Sequence, residues 1–371
     1  MTAATDGISG TGALVIQAGP TALAHLRQHG LRARDIAAVA GAAGGPKGLI
    51  LQALDQWLFG DWLAGAPRHR SFIGASIGAW RMAAACDPDP RAAFKRLGDL
   101  YCEQRYSRKP SPQEVSAVCQ TILKSFVGSR ADAIVSHPRH HLQVLVSRGR
   151  AGLTDPRSRV HTLLGFGAAA ASNLFSRAQL ARHFDRLVIG AADADTGWLQ
   201  TPFDRFATHF VPLRPDNLIP ALLASGTLPF IMPPVTAIAH APAGNFWDGG
   251  LIDYHLALPY ARLADGLVLY PHFTDHIVPG WLDKALRWRH AARSPDRHWL
   301  DNVVLLSPSR EFLVSLPRAK LPDRSDFMHY GLDHDGRVRA WQQAIGQGQR
   351  LRDALAAFVA TPELTRVTAL Y

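Results

Sequence analysis

Short apolar runs alternate with stretches of helical periodicity through the first half of the chain. That rhythm predicts an α/β layered fold with a mainly parallel central sheet flanked by helices. Residues 36–40 lead into a helical pattern at 49–63, and Phe72-Ile73 lead through a glycine-flanked turn to a helix at 79–86. Further strand-like runs fall at 142–146, 187–191, 267–270 and 303–306. Two helices are expected after Asp87-Pro88-Asp89-Pro90, the first carrying Phe94, Leu97 and Tyr101. The second opens with Ser111-Pro112-Gln113-Glu114, a capping box with proline at the first helical position, and puts Val115, Val118, Ile122 and Phe126 on one face. A last long helix is expected over 338–359, with Trp341, Ile345, Leu355 and Phe358 inward.

Two of the strand-to-helix turns are rich in glycine, and the carboxyl ends of strands are where open α/β sheets bind ligands. Ser76 is the middle residue of Gly74-Ala75-Ser76-Ile77-Gly78. A serine on so sharp a turn is presented as a nucleophile, with the free amides of the following helix aimed at the reacting centre. Upstream stands Gly44-Gly45-Pro46-Lys47-Gly48, and downstream Asp248-Gly249-Gly250, an acid in a glycine turn after Phe246-Trp247. A decoy exists at 14–16, where an apolar run ends in Gln17-Ala18-Gly19-Pro20, but it lacks a basic residue.

Together the three turns resemble the patatin-like phospholipase family, over about 36–259. The resemblance implies that Gly44 and Gly45 fall on the oxyanion glycines, Lys47 on the basic position, Ser76 on the nucleophile and Asp248 on the only other catalytic side chain. Two softer matches lie between them. Residues 192–197, with Asp193 and Asp195, look like the family's D-x-x-T-G hairpin, and 224–234 look like its A-S-x-x-x-P segment. The family often has three consecutive glycines where this chain starts with Ala43, and Pro46 has no amide hydrogen to donate. The expected donors are therefore the amides of Gly44, Gly45 and Ile77. The resemblance implies a serine lipid acyl hydrolase in which Asp248 acts as base and then acid, with no metal and no organic cofactor. The segments expected are an N-terminal extension at 1–35, a catalytic core at 36–260 and a remainder at 261–371 completing the same domain.

Rival readings follow from the same residues. A Ser-His-Asp triad esterase would take its histidine from His272 or His276, but leaves the turns at Gly44 and Asp248 without a role. An acyltransferase of the carrier-dependent kind usually has histidine before the serine, where this chain has Ala75. A catalytically silent lipid-binding protein on the same fold is the third. Lys47 has two readings, support for an oxyanion or phosphate headgroup and capping of loop carbonyls. Asp193 and Asp195 read as turn formers, and Asp253, with no glycine after it, as a surface residue.

Composition narrows the setting. A chain of 371 residues that is 47% hydrophobic can bury a substantial core. Lysine and arginine outnumber aspartate and glutamate 40 to 30, a net charge of +10 that favours anionic partners. The basic residues are scattered and no nucleic-acid module appears, so a lipid surface is favoured over nucleic acid. The start, 1–12, has no secretory pattern, no apolar run is long enough to span a bilayer, and a cytoplasmic, peripheral location is the expectation. Cys86, Cys102 and Cys119 read as reduced thiols. His137-Pro138-Arg139-His140-His141 reads as a solvated loop rather than a metal cluster. Residues 281–293 place Trp281, Leu282, Ala285, Leu286, Trp288 and Ala292 on one helical face opposite Lys284, Arg287 and His290. That helix is a candidate lid or contact with an anionic membrane surface.

Overall fold

The computed structural model describes residues 12–371 except 155–157, 193, 195 and 264. Its strands are β1 Leu14–Ala18, β2 Ile36–Gly41, β3 Arg70–Ala75, β4 His140–Gly149, β5 Phe184–Gly190, β6 Thr208–Pro212, β7 Phe246–Asp248, β8 Leu267–Pro271, β9 Val303–Pro308 and β10 Val367–Ala369. All join one mixed, mostly parallel sheet in the order β10-β1-β9-β8-β2-β3-β4-β5-β6, with β7 on β4. Helices flank it. β3 and β5 are buried at every position, which is why their later halves, 72–75 and 187–190, read as unbroken apolar runs rather than alternating ones.

β4 decides where the site lies. Its first half pairs in parallel with β3, from Arg70↔His140 to Ala75↔Leu145. Its second half pairs antiparallel with β7, from Phe246↔Arg148 to Asp248↔Val146. β5 pairs with Gln143 to Gly149 and so holds the other edge of β4. β3 and β7 therefore share one edge, run toward each other and end at adjacent β4 residues. Ser76 follows Ala75, so a serine and an aspartate 172 positions apart arrive at one point.

Several expected elements differ in detail. The stretch expected as one helix at 49–63 passes through three helical forms, a tight turn Gly45–Leu51, an α-helix Gln52–Trp57 and a wide turn Leu58–Trp62. The last helix is two, His334–Gln347 and Gln349–Ala360, broken at Gly348. A side chain at Gly348 would overlap the Ile50 carbonyl, so the break follows from close packing there. In the helix Pro112–Val127, Ser111 Oγ accepts from the Glu114 amide at 3.1 Å, but the Glu114 carboxylate turns to the amide and hydroxyl of Ser107, both at 2.7 Å. Half of the expected capping box forms.

Three readings need correction. Residues 281–293 are not an amphipathic helix but short turns at Trp281–Asp283, Arg287–Arg289 and Ala291–Arg293. The cause is Asp283, which is fully buried and accepts from Asn173 Nδ2 (2.9 Å), Arg177 Nη1 (3.1 Å) and Arg289 Nη1 (3.0 Å). An acid on the intended outer face is pulled inward, and regular helix cannot accommodate it. His140 and His141 are not in a solvated loop; they open β4 and are buried. Asp253 is not at the surface either. It is buried and takes a two-pronged pair from Arg186, Nε to Oδ2 at 2.6 Å and Nη2 to Oδ1 at 2.9 Å. The decoy at 14–16 is β1, between β10 and β9 and remote in sheet order from β3.

Gly348→Val is expected to lower stability by about 1–3 kcal/mol through overpacking against the Ile50 backbone. A urea midpoint unchanged from the parent chain would count against this account of the helix break.

Candidate active site

Ser76 is built as an elbow. It sits between β3 and the helix Ile77–Ala85 with φ 56° and ψ −131°, a conformation that costs a β-carbon-bearing residue on the order of 1–3 kcal/mol. Its surroundings hold it there. The Ser76 amide donates to Ser225 Oγ at 2.9 Å, and that hydroxyl donates to the Leu145 carbonyl of β4 at 2.7 Å. Ser225 thus staples the elbow to the strand that brings the site together. On the other side, a methyl group at Gly78 would overlap the Gly41 carbonyl, so the helix can press against the end of β2 only through glycine. One turn further on, Arg81 makes a buried two-pronged pair with Asp55, Nε to Oδ2 at 2.7 Å and Nη2 to Oδ1 at 2.8 Å.

Asp248 ends β7 and is buried. Its Oδ2 accepts from Ser76 Oγ at 2.7 Å and its Oδ1 from the Gly250 amide at 2.7 Å, while its own amide donates to the Thr227 carbonyl at 2.8 Å. Burial pushes the carboxyl up to about 6; the hydrogen bond from Ser76, the charge of Arg324, the Gly250 amide and Lys284 pull the other way. Gly249 packs against the Leu145 carbonyl, and Gly250 against Ala43. The turn after β7 is therefore seated on both β4 and the loop after β2.

That loop carries Gly44 and Gly45. The Ala43 amide donates to the Tyr254 carbonyl at 2.9 Å, whereas the amides of Gly44, Gly45 and Ile77 have no hydrogen-bond acceptor among the described residues. Three unengaged donors border Ser76. Lys47 is half-buried, its Nζ 5.4 Å from the centre of the Phe273 ring, and burial lowers its pKa against the opposing pull of Asp323. Gly48 packs near Arg81 and Ile77, and Gly74 against the first turn of the Ile77–Ala85 helix.

Two cavities meet at Ser76. The larger, about 830 Å³, is mainly apolar, with Trp80, Tyr101, Leu228, Met232 and Phe327 in its wall. The smaller, about 280 Å³, holds Asp248 together with Lys47, Lys284, Asp323 and Arg324. Lys284 Nζ lies 4.1 Å from the centre of the Tyr254 ring and 5.4 Å from that of Trp281. Desolvation by its neighbours, then the charges of Lys47 and Arg324, lower its pKa. Residues singled out in the sequence and brought together are thus Gly44, Gly45, Lys47, Ser76, Ile77, Asp248 and Gly250. Lys284 and Arg324 escaped sequence reasoning because neither stands in a motif; the only hint was the mixed aromatic and basic character of 281–293. Asp193 and Asp195 lie outside the described residues.

The histidines go elsewhere. His272 is fully buried against His255, ring centres 4.3 Å apart, and its Nδ1 accepts from the Thr274 amide at 2.9 Å. Burial drives its pKa well below the ordinary value. His276 pairs with Asp275 at 2.8 Å. Neither is hydrogen-bonded to Ser76. Among the described residues no three histidine, cysteine or acidic side chains converge as a metal site would require. Cys86, Cys102 and Cys119 are free thiols, the first two buried.

The model of the patatin-like phospholipase family matches residues 42–259, more than half of the chain and all three glycine turns. The chain belongs to that family, whose members are lipid acyl hydrolases. No curated protein matches it. Lys284 and Arg324 lie beyond the matched residues.

Ser225→Ala leaves the Ser76 amide without an acceptor in a dry interior, a loss of about 1–3 kcal/mol. A lowered thermal midpoint is expected; an unchanged one would show that the staple carries no strain.

Proposed function

We propose that the protein cleaves fatty-acyl esters through an acyl-Ser76 intermediate, with Asp248 as general base and then general acid. The observation that carries this reading is the 2.7 Å hydrogen bond from Ser76 Oγ to a buried carboxylate at the junction of an apolar and a cationic cavity. Burial supports it further, because an aspartate at its ordinary pKa near 4 is a weak base for a hydroxyl, whereas one raised to about 6 is stronger and still ionised at neutral pH.

Ser76 Oγ attacks the ester carbonyl carbon as its proton passes to Asp248 Oδ2. The developing oxyanion is held by the amides of Gly44, Gly45 and Ile77, donors of a kind often worth about 3 kcal/mol each. Collapse breaks the bond to the leaving oxygen, which takes the proton from Asp248. Water then gives a proton to the same carboxylate, attacks the acyl carbon and releases the fatty acid, and Ser76 recovers its proton. The fatty chain occupies the larger cavity. The alcohol portion leaves through the smaller one, where Lys47 supports the oxyanion or an anionic headgroup.

A serine-directed fluorophosphonate is expected to label the native chain and not Ser76→Ala. Absence of labelling in both would favour a silent lipid-binding protein. Asp248→Asn is expected to lower kcat by at least about a thousandfold; activity surviving that change but lost on His272→Ala or His276→Ala would favour a triad. Because the base must be ionised, kcat/KM should fall about tenfold per pH unit below about 6 and be level above it. A profile still level at pH 5 would sink the assignment of Asp248 as base.

A further inference from the structure

The helix Arg159–Phe175 is apolar on the wrong side. Its inward face, Gly165, Phe166, Ala169 and Asn173, is buried, Phe166 lying 5.3 Å from the Trp247 ring next to Asp248. Its outward face repeats the pattern: Val160, Leu163, Leu164, Leu174 and Phe175 are all exposed, Phe175 at 89%. Exposed Gly167, Ala168 and Ala171 fill the stripe between them, at helical spacing throughout. No acidic residue occurs in the helix. Burying such a stripe is favourable and leaving it in water is not, and exposed apolar patches of this extent mark contact surfaces.

The helix leads to the site through its inward face. Phe166 touches Phe230 at 5.3 Å between ring centres, and Phe230 and Ile231 are both about half exposed. Ile231 lines the larger cavity with Ser76, and so do the exposed Met328 and Leu332. Cations flank the apolar surface: Arg159 at the start of the helix, Arg182 in the turn packed along it, and Arg108 in the wall of the cavity, all exposed.

We infer that this helix docks flat on an anionic lipid surface and sets the mouth of the larger cavity against it. At 17 residues it is about 25 Å long, suited to lying in an interface, and no helix among the described residues is long and apolar enough to cross a membrane. A second copy of the chain is the poorer occupant, since stripe on stripe would bring two basic rims together, whereas acidic headgroups neutralise them. The link to turnover rests on the hydrolase reading; the docking does not.

The test uses the full chain as Ser76→Ala, so that lipid stays intact, sedimented with vesicles of phosphatidylcholine and phosphatidylglycerol in equal parts. Co-sedimentation is expected, weaker on pure phosphatidylcholine, and reduced at least about tenfold by Leu164→Glu with Phe175→Ser. In the chain with native Ser76, the same pair of changes should leave the melting temperature and hydrolysis of a water-soluble short-chain ester unchanged. Undiminished vesicle binding in the pair variant would overturn the proposal. So would light scattering that shows a native dimer converted to a monomer by these changes, which would make the stripe a protein interface. If Ser76→Ala still hydrolysed ester, the hydrolase reading would fall while the vesicle result stood.

Discussion

Two strands running head-on along one edge of β4 are the constraint on which the site depends. β3 stops opposite Leu145 and β7 opposite Val146, so Ser76 and its carboxylate partner are placed by sheet register rather than by flexible loops. Side chains alternate faces along a strand, and a slip of one residue would send Asp248 to the other side of the sheet. Pinning is correspondingly dense over a strand of three residues. The Asp248 amide is tied to Thr227, Phe246 exchanges two backbone hydrogen bonds with Val235, and Trp247 is buried in a cluster with Phe166 and Phe184.

Such placement is costly. A carboxylate raised to about 6 in the folded chain, from 3.8, is worse off than in the unfolded chain at neutral pH by about 3 kcal/mol. The sign follows from the direction of the shift: the penalty is absent at low pH, where the group is protonated in both states, and is fully present above the folded value. The elbow adds backbone strain at Ser76. Both are offset by a large core, by the hydrogen bond from the Gly250 amide to Asp248 and by the one from the Ser76 amide to Ser225.

The three glycine turns were legible because each is local: a strand end, a tight turn and close backbone approach force residue type within a few positions. The strands at Leu142, Leu187, Leu267 and Val303 were legible as buried runs. What sequence could not convey was pairing. Nothing in residues 140–149 announces that one strand serves two partners on one edge, and His140 and His141 disguise its start as polar loop. Buried ion pairs were opaque for the same reason: Asp253 looks like a surface acid until Arg186 arrives from 67 positions away, and Asp283 is paired by Arg177 from 106 positions away as well as by the nearby Arg289. The helix expected over 338–359 breaks at Gly348 because of the Ile50 carbonyl, which lies nearly 300 residues away in the chain and leaves no mark on the local pattern.

The smaller cavity has a divided origin. Ser76, Asp248 and the amide-bearing loop come from the sheet, whereas Lys284 and Arg324 project from connecting segments and stand outside the hydrogen-bond scaffold of the elbow. The charge of that cavity can then drift through two side chains while the serine, the carboxylate and the strands that carry them stay fixed. A lineage built on this plan can change what the cavity holds without rebuilding the strands beneath it.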